Sequence, residues 1–484
     1  MVTGRPCGCG LNRRDFLKSA GAGALGALSV AAVSRAAAGG EGAGAAGSLR
    51  KPNIIFILGD DLGYGDLGCY GQKRIRTPHA DAMAAEGVRF TQFYSGSTVC
   101  APSRCSLMTG LHTGHCYVRG NALVPLRPED VTVAEVLKAA GYTTALVGKW
   151  GHGEPDTAGI PNKKGFDYFY GYLNQGHAHN YFPDYLWKNE EKVPLGNEVV
   201  GGVAKKRVVY SPDLMEREAL AFIERSKEKP FFLYFSPTLP HANNEAGNNG
   251  MEVPSDEPYS AEAWPQTEKN FAAMVTRLDA TVGKIMALVK QLGLDNETIV
   301  FFTSDNGPHK EGGHDAAFFE SSGTVRGTKR DLYDGGIRVP MIVRWPGRAK
   351  PATSDQAWAF WDFLPTAAEV AGAKCPGGLD GISALPAILG QPWKGHEYLY
   401  WEFYEGGFQQ AVRMGDWKAV RKGLDGKTEL YDLRSDVRET RNVADQNPEV
   451  VKHVEEVLRA ARVDSSLPAW STAQPAKKGK AAKK

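Results

Sequence analysis

The sequence predicts an α/β fold in which a large, mostly parallel or mixed sheet is covered by helices on both faces. A smaller C-terminal α+β domain with an antiparallel sheet follows it. Three observations carry this expectation. From Pro52 to about residue 375, short β-rich apolar runs alternate with helical patterns, the order that builds parallel sheets flanked by helices. The runs are continuously apolar, as strands buried on both faces are. Beyond residue 375, closely spaced strand patterns with polar turns replace that alternation.

In chain order, the expected strands of the large domain are Asn53–Leu58, Thr143–Val147, Phe231–Phe235, Thr298–Thr303 and Val339–Val343. They are too short for helices and rich in branched and aromatic residues. The helical patterns between them cover Thr77–Glu86, Thr132–Ala140, Pro212–Ser226, Glu268–Leu292 and Asp362–Ala371. Phe166–Trp187, dense in aromatics and glycine, reads as a packed surface loop, with sugar stacking as the second reading. Expected strands at Glu397–Phe403, Gln410–Arg413, Trp417–Val420 and Thr428–Asp432, then a helix over Pro448–Ala461, make up the C-terminal domain. The divisions are 1–38, 50–375, 376–465 and a basic, disordered tail over 466–484.

Composition narrows the function classes. The chain has 484 residues, 42% hydrophobic and 23% charged, ordinary for a globular protein. A net charge of +2 argues against nucleic acid as a partner, and the run Lys477–Lys484 reads as a solvated tail. Near the N-terminus, Arg13-Arg14 precedes Phe16-Leu17, a mild Ala/Gly/Leu stretch, and the small residues Ala36-Ala37-Ala38. That order reads as an export signal resembling the twin-arginine type. The partner it implies is the twin-arginine export machinery. The product would be a periplasmic or secreted bacterial protein without stable membrane insertion. Of seven cysteines, Cys7 and Cys9 fall in the signal. Cys69, Cys100, Cys105, Cys116 and Cys375 are an odd, widely spaced set that fits neither a disulfide framework nor zinc spacing. One of them is free for chemistry, and Cys100 is the candidate.

The chemistry-bearing residues follow strands. Asp60-Asp61 succeeds the first run, and Asp305-Asn306 succeeds Thr298–Thr303. Functional groups in open α/β sheets gather at the carboxyl ends of strands. Three carboxylates and an amide there suit a hard divalent cation; capping of the following turns is the plain alternative. Cys100-Ala101-Pro102-Ser103-Arg104 places a proline suited to a first helical turn, with Cys100 just outside the helix N-terminus. Its N–H groups favour an anion there, and Arg104 adds a cation. Alone, this suggests a reactive thiolate.

Cys-x-Pro-Ser-Arg followed by Thr109-Gly110 resembles the signature of the type I sulfatases of the alkaline phosphatase superfamily. The resemblance spans nearly the whole mature chain. It includes PNIIFILGDDLGYGDLGCYG, GYTTALVGKWG, the Ser304–Gly307 string SDNG, RGTKRDLYDGGIRVP over Arg326–Pro340, and Glu429–Leu433 near the end. It implies oxidation of Cys100 to Cα-formylglycine by a formylglycine-generating maturation enzyme; the aldehyde hydrates to a gem-diol. It further implies one calcium ion held by Asp60, Asp61, Asp305, Asn306 and the modified Cys100. Arg104 would stabilise the diol alkoxide, Lys149 and Lys329 would hold the sulfate oxygens, and His241 would protonate the leaving oxygen.

The sequence departs from the family in one place. The family commonly reads Gly-Lys-Trp-His-Leu-Gly with its histidine beside the diol, whereas this chain reads Gly148-Lys149-Trp150-Gly151-His152-Gly153. A one-residue shift in an extended segment redirects the side chain. His152 is the first expectation for the base in sulfate release, with His177 and His179 as the other supply.

The expected activity is hydrolysis of a sulfated small molecule or sulfated glycan to an alcohol and inorganic sulfate. Two alternatives stand beside it: a phosphomonoesterase or phosphodiesterase on the same fold, and a non-catalytic carbohydrate-binding relative. The cysteine, the neutral ligand Asn306 and the two lysines favour the sulfatase.

Overall fold

A computed structural model describes residues 51–472. The export signal expected over 1–38 lies outside the described residues, as does the tail from 473.

Seventeen strands are present among the described residues: β1 (Asn53–Gly59), β2 (Val88–Tyr94), β3 (Thr143–Lys149), β4 (Tyr168–Tyr172), β5 (Tyr185–Lys188), β6 (Glu191–Pro194), β7 (Glu198–Val200), β8 (Val203–Lys206), β9 (Phe231–Ser236), β10 (Thr298–Ser304), β11 (Arg338–Arg344), β12 (Ala352–Ser354), β13 (Trp358–Ala359), β14 (Leu399–Phe403), β15 (Gln409–Met414), β16 (Trp417–Lys422) and β17 (Thr428–Asp432). The large sheet runs β12-β2-β11-β10-β1-β9-β3-β4-β5-β6, with β13 also on β2. Its centre, from β10 to β4, is parallel; β11 and β5 introduce antiparallel pairing on either side.

The run in β1 is continuous because its two faces enter two cores. Ile54, Phe56 and Leu58 face one, with helices Cys100–Thr109, Val133–Ala139 and Phe363–Ala371 behind them. Ile55 and Ile57 face the other, covered by Ser211–Ser226 and Gln266–Gln291. Burying a side chain of this size contributes about 1.5–3 kcal/mol, so a polar residue on either face of β1 would be expensive.

Strands β14 to β17 form an antiparallel meander. One face, with Tyr400, Val412, Ala419 and Leu430, packs under the helix Pro448–Ala460. The other, with Trp401, Phe403, Ala411 and Tyr431, shares a core with Tyr94, Val99 and Trp361 of the large domain.

Two expectations are corrected. Phe166–Trp187 is not simply a loop: it contains β4 and β5, and Phe169, Tyr170, Tyr172 and Tyr181 are buried rather than displayed for stacking. Aromatic residues suit a pleated, buried surface, and β3 offers the edge that recruits them. Cys100 is the first residue of its helix, not the residue before it; Val99 holds the cap position. Strand β2 escaped the sequence reading because Arg89, Thr91 and Gln92 interrupt its apolar residues, two of them in succession.

Candidate active site

Parallel strands bring their carboxyl ends to one edge. Gly59 is in register with Ser304 and Gly148 with Ser236, so the residues that follow β1, β10 and β9, and Lys149 at the end of β3, converge. Gly148 allows this: at φ +125°, a Cβ there would lie 2.0 Å from the Ser236 carbonyl oxygen, so any other residue would separate β3 from β9.

Asp60, Asp61, Asp305 and Asn306 are fully buried. Asp61 adopts φ +64°, which directs its N–H to Asp305 Oδ1 at 3.1 Å. Asn306 donates through Nδ2 to Asp61 Oδ1 at 2.7 Å and to the Gly307 carbonyl at 2.9 Å. Its Oδ1 is buried without a hydrogen-bond partner. One ligand atom each from Asp60, Asp61, Cys100 and His241 lies within 4.8 Å of the others. Crowded carboxylates beside an unsatisfied amide oxygen fit a divalent cation that prefers oxygen ligands.

Arg104 projects from the helix that begins at Cys100. Its Nε and Nη2 lie 2.9 and 2.8 Å from Asp305 Oδ2, and Nη2 is 3.4 Å from Asp60. Its Nη1 donates to the Lys149 carbonyl at 3.2 Å and to Ser236 Oγ. Lys149 Nζ meets Asp60 Oδ2 at 2.8 Å. Lys329 Nζ meets Asp61 Oδ2 at 2.8 Å, Glu311 Oε2 at 2.9 Å and His241 Nε2 at 3.2 Å. Cys100 Sγ faces Asp60 Oδ1 at 3.6 Å. Four carboxylates, Asp60, Asp61, Asp305 and Glu311, thus face Arg104, Lys149 and Lys329, and a bound divalent ion would turn the balance positive for an anion.

The electrostatics follow from burial and these neighbours. Burial alone raises the Asp60 carboxyl, but the Lys149 ammonium, which also hydrogen-bonds it, and Arg104 outweigh burial and hold the group well below the usual range. Burial, with the charge of Asp60, pushes Asp305 up to about 7 in spite of Arg104. Burial pushes the Cys100 thiol up, against the reactive thiolate suggested by its helix position, because a low-dielectric site disfavours that charge. His241 is driven well below its ordinary value by burial and by Lys329. Its ring stays neutral, with Nδ1 donating to the Ala242 carbonyl at 2.6 Å and Nε2 turned to Lys329.

The histidines separate. His152 is fully buried, packs edge-on to Trp150 with ring centroids 5.1 Å apart, and has no hydrogen-bond partner on either ring nitrogen. Burial and Arg104 push it down to about 3. His177 lies between Tyr172 and Tyr185. His179 stacks on His241 with centroids 4.9 Å apart, and its Nδ1 is 3.1 Å from Glu245. Sequence reading missed Ser236, Glu311 and Glu245. Ser236 had a signal, a hydroxyl closing a buried strand; Glu245, in a short 3-10 helix, and Glu311, outside any helix or strand, stand in no periodic pattern.

Residues 52–373 match the profile of the Sulfatase family, and 327–464 match that of the N-sulphoglucosamine sulphohydrolase C-terminal region. The chain is 31% identical to an N-acetylgalactosamine-6-O-sulfatase of Bacteroides thetaiotaomicron, over 85% of this chain and 93% of that one. It is 33% identical to human arylsulfatase A, over 86% and 89%. Among solved structures, Ps i-CgsB in complex with k-i-k-neocarrahexaose superposes with a TM-score of 0.73 at 29% identity, covering 85% of this chain and 93% of that one. A Bacteroides thetaiotaomicron structure described with the metabolism of multiple glycosaminoglycans gives 0.71 at 29%, covering 85% and 99%. With the Cys100 motif, the paired acidic strand ends and both lysines gathered at one sheet edge, these likenesses establish that the chain belongs to the sulfatase family, the type I sulfatases of the alkaline phosphatase superfamily, and hydrolyses sulfate esters.

Proposed function

We propose that the chain is an exported, calcium-dependent sulfatase whose nucleophile is formylglycine made from Cys100, with a catalytic domain over 50–375 supported by 376–465. The observation that carries the nucleophile is the placement of Cys100, the cysteine of the Cys-x-Pro-Ser-Arg string, buried at the head of its helix with Sγ 3.6 Å from Asp60 among the candidate metal ligands; burial raises its thiol, which disfavours a plain thiolate. Formylglycine, once formed, supplies a hydroxyl for attack on sulfur and an aldehyde to which the residue returns. A calcium ion held by Asp60, Asp61, Asp305, Asn306 and residue 100 would polarise a sulfate oxygen.

The chain's own residues do the rest. Lys149 and Lys329 bind the sulfate oxygens, and Arg104 neutralises charge at residue 100. His241 carries the proton for the leaving oxygen together with Lys329, whose ammonium faces its Nε2. We assign the base in sulfate release to His179 rather than to the expected His152. Glu245 at Nδ1 leaves Nε2 as the acceptor, fixes the ring and opposes the lowering of His179 by burial and Lys149, whereas His152 sits against Trp150 with no acid partner and is pushed down to about 3 by burial and Arg104. A sulfated saccharide is the proposed substrate class, supported by the N-acetylgalactosamine-6-O-sulfatase relative and the oligosaccharide-bound Ps i-CgsB. Among the described residues no helix is long and apolar enough to cross a membrane.

Mass spectrometry of the peptide spanning Cys100, from active protein made with a formylglycine-generating enzyme, tests the reading. An aldehyde in place of the thiol is expected, and Cys100→Ala should be inactive. Full turnover by protein carrying only the thiol would refute it.

A further inference from the structure

We infer that Gln175 is a substrate-contacting residue, its carboxamide hydrogen-bonding the sulfate group of the bound ester. The inference rests on sulfate ester hydrolysis at this site.

The case begins with the segment after β3. Lys149 turns to Asp60, while Trp150 and His152 pack together on the other side, against Phe166 and the core. Residue 151 stands between those two rings in sequence, two places after Lys149. That residue is Gly151, at φ +92°, and a Cβ built on it would lie 2.3 Å from Gln175 Nε2 and 3.2 Å from Gln175 Cδ. The amide of Gln175 therefore fills the space that a side chain at 151 would take, two residues from the lysine that reaches Asp60.

Backbone pairing holds the two segments in this relation. Trp150 N–H donates to the Tyr172 carbonyl at 3.0 Å, and Gly151 N–H to the Leu173 carbonyl at 2.9 Å. Asn174 Oδ1 then accepts from the His177 N–H at 2.9 Å, fixing the turn on which Gln175 stands. Four residues on, the same loop delivers His179 onto His241. The loop thus borders the site at both ends.

Neither Oε1 nor Nε2 of Gln175 is exposed or hydrogen-bonded. A buried amide with no partner is costly in a folded protein. A fold can carry that cost at a binding site, where the ligand supplies the partner. Sulfate esters present oxygens that accept but do not donate, so Nε2–H is the matching group and Lys149 the neighbouring charge. Being neutral, the amide orients the sulfate without taking a proton.

Gln175→Met separates a binding role from a structural one, because it keeps the volume and removes the unsatisfied atoms. Its thermal midpoint is expected to equal or exceed that of wild type. Calorimetry with inorganic sulfate and the calcium-loaded full chain should show affinity reduced about tenfold, the scale of one hydrogen bond to a charged group. KM for nitrophenyl sulfate should rise in parallel, and Gln175→Glu should lose more through repulsion. Unchanged sulfate affinity and KM in Gln175→Met would overturn the inference, as would a lowered midpoint with affinity intact. Should Gln175→Met fail to fold, Gln175→Ala carries the same comparison. If the wild-type protein turned over no sulfate ester, the reaction itself would be wrong, and sulfate calorimetry would still decide the contact.

Discussion

Arg104 sets two of its nitrogens on a single oxygen of Asp305, at 2.9 and 2.8 Å, with both side chains closed to solvent. The same guanidinium bonds Ser236 and the Lys149 carbonyl, so one side chain ties together the ends of β3, β9 and β10. A planar fork can do this and a lysine cannot.

Arg104→Lys should therefore lose geometry as well as charge spread. Breaking the buried pairing is expected to cost about 3–5 kcal/mol of stability, read as a lowered thermal midpoint. It should also lower kcat/KM about 10²–10³-fold. A variant with wild-type kinetics would remove Arg104 from the site chemistry.

Calcium should stabilise the folded chain if it binds as proposed, because Asp60, Asp61 and residue 100 come together only in that state. At a hundred times its Kd the ion adds about 2.7 kcal/mol. Chelator-treated protein is expected to melt earlier and recover with calcium. Asn306→Ala, which removes the unsatisfied amide oxygen, should weaken the calcium response more than it changes the metal-free midpoint. An equal response in both proteins would exclude Asn306 as a ligand.

His241→Ala should damage sugar sulfates far more than nitrophenyl sulfate, whose leaving group scarcely needs a proton. Measuring kcat/KM on both substrates decides this. Equal losses would leave His241 a sulfate-binding or structural part.

Release and attack separate in time. With nitrophenyl sulfate, His179→Ala is expected to show a burst of nitrophenol followed by slow turnover, since only release is impaired. His152→Ala and His177→Ala should turn over without a burst. A burst in His152→Ala alone would return the role to that residue.

A pH-dependent contribution to stability lies away from the site. His396 Nε2 is 2.6 Å from Asp362 Oδ1. Burial lowers its pKa but Asp362 overrides that, and the net shift is upward. A folded-state value above the unfolded one means the contribution is complete below the unfolded value, about 6.5. It is lost as pH rises through the folded value. His396→Gln should cost about 1–3 kcal/mol at pH 5 and progressively less at higher pH. A difference constant from pH 5 to 9 would contradict the assignment.

Much of this was legible along the chain. The apolar runs that became β1, β3, β9 and β10 are continuous because both faces are buried, a property of composition that needs no partner to be seen. Asp60-Asp61, Cys100, Arg104, Asp305-Asn306 and Lys329 stand in local motifs, so their identities were readable before their distances. The aromatic stretch around Tyr170 misled, because a strand between β3 and β5 is defined by what it pairs with.

Tertiary structure alone decided the rest. Which way a histidine near Lys149 faces depends on the local backbone and packing, and His152 packs on Trp150. The stacking of His179 on His241, the pairing of Glu311 with Lys329 and the amide of Gln175 in the space beside Gly151 join residues far apart in sequence. The sequence by itself determined the fold class, the family and the residue types offered at the site, because apolar runs and motifs are written one side chain at a time. Their partners and protonation were decided only by the fold, because burial and electrostatics act through space.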